Sequence, residues 1–214
     1  MRTKRFGFLV FPGCEELDLV GPWQMAALWK AYADGPQNLH MVGQTAEPLT
    51  CAKGMILTPH VSFADCPPLD YLLVPGGFSV FEMLQDEGFI SFLKSRGMAA
   101  EHVLSVCSGS FLLHKAGLLD GRKATTNWKV LDQFEALPGV TLVEERIVRD
   151  SNIWTSGGVA AGIDLVLALI ADVAGRAAAG IVQRHGEYYP PQIYYAEPSD
   201  IDQRVPSYFK SLGH

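Results

Sequence analysis

The chain has 214 residues, of which 48% are hydrophobic and 19% charged, enough apolar material for one large domain with a real core. A formal charge of −6 without any Lys/Arg cluster argues against a nucleic-acid surface. No apolar run reaches the roughly 18 residues of a membrane-spanning helix, and RTKRFGFLVFPG has neither the length nor the small-residue cleavage site of a signal peptide.

Taken in order, the chain alternates strand-like and helix-like runs. RFGFLVF (5–11) reads as a strand stopped by Pro12-Gly13, and GPWQMAALWKAYA (21–33) as a helix that opens on Gly-Pro. NLHMVG (38–43) is a second strand, and CAKGMILTPHVSF (51–63) offers short, paired strands. YLLVPGG (71–77), an apolar run cut by Pro-Gly-Gly, suits a buried parallel strand. An amphipathic helix (87–100), a strand (102–106) and helices over 108–119 and 127–137 follow. TLVEERIVRDSNIWTS (141–156) reads as strands joined by a tight turn at 149–152, and 159–175 is the longest apolar helix. This alternation predicts a three-layer α/β domain with a mostly parallel sheet, its core over about 5–185. The tail, 188–214, is rich in Pro and Tyr and suits either a wrap around the domain or a cover for a partner.

The four cysteines, Cys14, Cys51, Cys66 and Cys107, are scattered without a C-x-x-C pair, and the six histidines show no metal-ligand spacing. Reduced thiols in the cytoplasm are the expectation. Cys107 differs from the others. In Ser105-Val106-Cys107-Ser108-Gly109 a strand ends and a helix starts at once, an approximation of the nucleophile elbow with Ser105 in place of its first glycine. Ligands of open α/β sheets bind beyond the carboxyl ends of the strands, and the helix N-terminus aimed at the sulfur is expected to favour thiolate. Burial as a packing residue is the competing reading. No histidine follows Cys107, and His114 lies about 10 Å along a helix, so a Cys-His dyad requires His40, His60 or His185 to arrive through the fold.

FPGCEELDLVGPW (11–23) supplies the other candidates, for Glu15, Glu16 and Asp18 follow a strand end at the same edge. Glu15 suits helix capping. A carboxyl beside Cys107 in an apolar pocket would have its pKa raised and would serve as a general acid.

FGFLVFPGCEELDLVGPWQM, SFADCPPLDYLLVPGG, LSVCSGSFLLHKAGLLDGRKATTNW and VRDSNIWTSGGVAAGIDLVLALI resemble, in order and spacing, the ThiJ/PfpI superfamily, and within it the isonitrile hydratases. The resemblance implies a homodimeric, flavodoxin-like or class I glutamine-amidotransferase-like domain that hydrates an isonitrile to a formamide without metal or organic cofactor. It implies Cys107 as nucleophile and Asp18 as the carboxyl hydrogen-bonded to it. Ser108 stands where the hydratases tend to have threonine, Asn127 where relatives often have histidine, and Gly76 and Gly77 match a loop whose amides face the cysteine. The implied chemistry is attack by Cys107 thiolate with proton delivery from Asp18, a thioimidate, and its hydrolysis by water. Trp23, Phe78, Trp128 and Trp154 are candidates for an apolar lining, each equally suited to core packing. Other branches of the superfamily act on glyoxals or glycated groups, sense ligands for transcription regulators, or use an oxidisable cysteine as a stress sensor.

Overall fold

The computed structural model describes residues 3–190, Arg204 and 206–208. Its first strand, β1 (Arg5–Leu9), lies in the middle of a seven-stranded sheet. On one side are β2 (Asn38–Gly43) and β5 (Val61–Ser62), and on the other β6 (Tyr71–Val74), β7 (His102–Val106), β11 (Ile153–Ser156) and β10 (Ile147–Asp150). Every pairing is parallel except β10 with β11, which forms an antiparallel edge hairpin turning at Ser151.

Because side chains alternate across a strand, the near-continuous apolar runs feed both faces. Phe6, Phe8, Tyr71, Leu73 and Leu104 pack against α1 (Glu16–Tyr32), α6 (Ala161–Val173) and α7 (Arg176–His185). Leu9, Leu72, Val74 and Val103 pack against α3 (Glu87–Ala99), α4 (Gly109–Lys115) and α5 (Leu131–Glu135). The result is the expected three-layer arrangement with strands buried on both sides.

The local differences from the sequence reading have physical causes. α1 begins at Glu16, not Gly21, and holds Pro22 in its interior, where a proline removes a helical hydrogen bond. Tertiary packing compensates, since Pro22 lies so close to α6 that a Cβ on Gly162 would come 2.8 Å from its Cγ. Asp18 consequently sits in the first helical turn and not in the preceding loop. The 51–63 segment divides: β3 (Leu49–Thr50) and β4 (Ile56–Leu57) form a small hairpin, while β5 joins the main sheet. α4 stops early at Gly117, whose φ of 73° is left-handed. Asn127 opens a 3₁₀ turn, Trp128–Val130, before α5. The unforeseen elements are α2 (Val80–Met83), β8 (Arg122–Ala124), which pairs with β9 (Val140–Leu142), and α7, separated from α6 by Gly175 at φ 89°.

Most of the 188–214 tail lies outside the described residues. Where it is described, it lies against the body: Arg204 pairs with Asp132, Glu135 and Glu144, and Ser207 bonds Glu144.

Candidate active site

Three neighbouring strands, β1, β6 and β7, deliver their carboxyl ends to one place. The chain leaves β1 for β2 and later returns to the opposite side of β1 as β6, so this is a topological switch point, where open α/β sheets bind ligands. β1 leads to Asp18, β6 to Gly76 and Gly77, and β7 to Cys107.

Cys107 has φ 58°, a left-handed conformation uncommon outside glycine, as a sharp elbow requires. The turn is fixed by its N–H, which donates to the carbonyls of Ser156 (3.1 Å) and Gly157 (2.9 Å). Its own carbonyl accepts from Thr126 Oγ1 at 3.1 Å and Ser110 Oγ at 3.4 Å. Gly76 and Gly109 permit the crowding: a Cβ at Gly76 would lie 2.6 Å from Ser108 N and 2.8 Å from Cys107 Cβ.

Asp18 is fully buried. Its Oδ2 accepts the Gly76 N–H at 2.8 Å, while Oδ1 has no hydrogen-bond partner. Burial pushes this carboxyl up to about 8, with Glu15 adding to the rise; the Gly76 N–H and the Cys107 thiol work against it. Cys107 is pushed up to about 12, first by burial and second by the Asp18 carboxyl, against hydrogen bonding from Ser108 and Asn127. The expectation of a resting thiolate is therefore corrected. Desolvation outweighs the dipole of α4, which has only seven residues. Burial thus favours the protonated form of both groups.

The two glycines do not offer free amides to the sulfur, a second correction. Gly76 N–H is bound to Asp18, and Gly77 N–H to Ser108 Oγ at 3.1 Å. Ser108 Oγ in turn donates to the Gly77 carbonyl at 2.9 Å, so this hydroxyl ties elbow to loop. Asn127 Oδ1 accepts from Lys129 N at 3.0 Å, which turns the amide nitrogen towards the sulfur and makes it a donor there.

Above the sulfur is a cavity of about 270 Å³, lined by Cys107, Ser108, Gly77 and Asn127, by Phe78, Phe81 and Trp128, and by Glu15 and Lys53. Two of the four candidate aromatic residues are elsewhere. Trp23 packs on Phe8 and His60, and Trp154 bonds His102. His40, His60, His114 and His185 do not line the cavity. Glu15 makes no capping bond; it pairs with Lys53 at 2.9 Å. Glu16 accepts from Lys53 N (2.6 Å) and Met55 N (3.3 Å), pinning the β3–β4 loop over the site. Sequence reasoning missed Lys53 because a two-strand hairpin carries no local signal of where it docks.

A thiol on an elbow at the switch point of a parallel sheet, with a buried carboxyl beside it, defines a class of three-layer α/β proteins built around a strand–elbow–helix turn. Within that class the chain belongs to the DJ-1/PfpI family, which it matches over residues 4–172. It is 40% identical to an isonitrile hydratase of Pseudomonas putida over 186 residues, covering 87% of this chain and 79% of that protein. It is 28% identical to the HTH-type transcriptional regulator CdhR of Pseudomonas aeruginosa, over 81% of this chain but only 52% of the regulator's length. Among solved structures, a ThiJ/PfpI family protein from Pseudomonas syringae superposes with a TM-score of 0.85 at 32% identity, covering 99% of this chain and 84% of that one. Drosophila melanogaster DJ-1beta shares the fold, with a TM-score of 0.75 at 18% identity over 88% of this chain and 100% of that one.

Proposed function

We propose that this chain is an isonitrile hydratase that adds water to the terminal carbon of R–N≡C and releases the formamide R–NH–CHO. The observation that carries the reading is the buried, protonated Asp18, with Oδ1 unpartnered, beside Cys107. The 40% identity to the Pseudomonas putida hydratase supports it.

The terminal carbon of an isonitrile bears a lone pair and accepts both a proton and a nucleophile. Asp18 gives its proton to that carbon as the Cys107 sulfur bonds to it, and the thiol proton passes to the Asp18 carboxylate. The product is a thioimidate, R–N=CH–S–Cys107, and Asp18 is neutral again. Water then adds across C=N, its oxygen to carbon and a proton to nitrogen. The resulting tetrahedral adduct collapses, the C–S bond breaking as the hydroxyl proton returns to sulfur. Consumed are one isonitrile and one water; released is one formamide. Covalent catalysis divides a difficult hydration into two easier steps. The Asn127 amide donates to the sulfur as charge develops on it. Gly76 positions Asp18, and the Ser108–Gly77 pair positions the loop. Phe78, Phe81 and Trp128 provide the apolar wall for R.

As further parts of this reading, the chain is one domain, resides in the reducing cytoplasm with its cysteines as thiols, and acts as a homodimer. Supporting a dimer, Leu17 and Val20 on the outward face of α1 are 41% and 43% exposed.

The test is incubation of purified protein with cyclohexyl isocyanide and, separately, with methylglyoxal. Formation of N-cyclohexylformamide is expected. Conversion of methylglyoxal to lactate with the isonitrile untouched would overturn the reading in favour of a glyoxalase.

A further inference from the structure

The cavity above Cys107 is not electrically neutral. It is lined by the charged groups Glu15, Lys53 and Lys129. Lys53 is neutralised by Glu15 at 2.9 Å. Lys129 has no carboxylate partner among the described residues, and its ammonium is held 5.5 Å from the centre of the Trp128 ring. A cation over an aromatic wall is restrained in position yet keeps donors for a further partner. Among the described residues one positive charge of the lining is thus uncompensated, beside the apolar wall of Phe78, Phe81 and Trp128 and the thiol of Cys107.

From this we infer that the preferred isonitrile carries a carboxylate at the end of R remote from the isocyano carbon, bound by Lys129. The inference rests on the hydratase reading. Size and charge both point to this class. At about 270 Å³ the cavity falls just under pockets for drug-sized ligands, so R is short and its far end reaches the rim. One free lysine, without an arginine fork, balances the single charge of a carboxylate and not the double charge of a phosphate. The anion must be remote, because next to Cys107 it would lie in the desolvated region where burial already favours the uncharged forms of Asp18 and the thiol.

The test compares kcat/KM for 5-isocyanopentanoate with that for its methyl ester, in wild type, Lys129→Gln and Lys129→Glu. Expressed as an acid-to-ester ratio, any general loss common to both substrates cancels. The expected wild-type ratio is about two to five, typical of one exposed charge contact. It should fall near one in Lys129→Gln, below one in Lys129→Glu, and towards one at about 0.5 M salt. A wild-type ratio near one, with the ester well hydrated, overturns this specificity and leaves the hydratase reading standing. A high ratio that survives Lys129→Glu overturns the role of Lys129. If neither compound, nor cyclohexyl isocyanide, is hydrated, the hydratase reading falls and the specificity falls with it.

Discussion

Replacing Asp18 with Asn removes one transferable proton and changes almost nothing in volume. The amide oxygen can still accept the Gly76 N–H that Oδ2 now accepts at 2.8 Å, which leaves the amide nitrogen where Oδ1 has no partner. General acid–base groups contribute about 10²- to 10⁴-fold, so formamide production should fall at least 10²-fold. Stability should move in the opposite direction. Folding raises the carboxyl from 3.8 to about 8, so the native state holds this proton more tightly than the unfolded chain. The contribution is complete below about pH 4 and is lost as pH rises towards 8. At about 1.4 kcal/mol per pH unit, the loss between pH 5 and 8 has a ceiling on the order of 4 kcal/mol. The variant escapes it, while the unpaired amide costs about 1–3 kcal/mol at every pH. The Tm of Asp18→Asn relative to wild type should therefore rise by roughly 5 °C or more from pH 5 to about pH 8.5, at about 2–4 °C per kcal/mol for a chain this size. Near-wild-type turnover would remove Asp18 from the chemistry, and a Tm difference independent of pH would refute its burial as a neutral acid.

Other consequences follow from the same geometry. Cys107→Ala should abolish formamide formation while circular dichroism stays native; retained activity would exclude the thioimidate. Gly76→Ala places a Cβ 2.6 Å from Ser108 N and 2.8 Å from Cys107 Cβ, both too close, and should cost at least ~1–3 kcal/mol in urea unfolding, as overpacking does, together with most of the activity. The wild-type pH–rate profile should be flat near neutrality and decline through about pH 8 as Asp18 loses its proton; a rise across that interval would indicate a reactive thiolate instead.

The elbow was legible because its chemistry is local: a strand, Cys107, small residues and a helix stand in one uninterrupted stretch. Asp18 was legible as a carboxyl at the same sheet edge, although Gly21-Pro22 disguised the start of its helix. Proline normally marks a first turn, and only the contact with Gly162, far along the chain, shows why this one is tolerated in an interior. The protonation of Cys107 could not be read from sequence, because it depends on how much water the fold removes and on a carboxyl brought in by α1. Nor could the partners of the Gly76 and Gly77 amides, which are side chains at the starts of two different helices, Asp18 of α1 and Ser108 before α4. Lys53 reaches the cavity because Glu16 and the backbone bonds Gly13 N–Thr50 O and Ala52 N–Cys14 O hold the short hairpin over it. The aromatic residues divide by their elements: Trp23 on α1 and Trp154 on β11 pack within the body of the domain, whereas Phe78, on a loop, and Trp128, on the 3₁₀ turn, line the cavity.

The most direct measurement is a single-turnover reaction of wild type and Cys107→Ala with an isonitrile labelled with carbon-13 at its terminal carbon. Quenched wild-type samples should show the label first on the peptide that contains Cys107 and then in the free formamide, while the alanine variant shows neither. Formamide release from both proteins, with no labelled peptide at any time, would contradict hydration through a bond to Cys107.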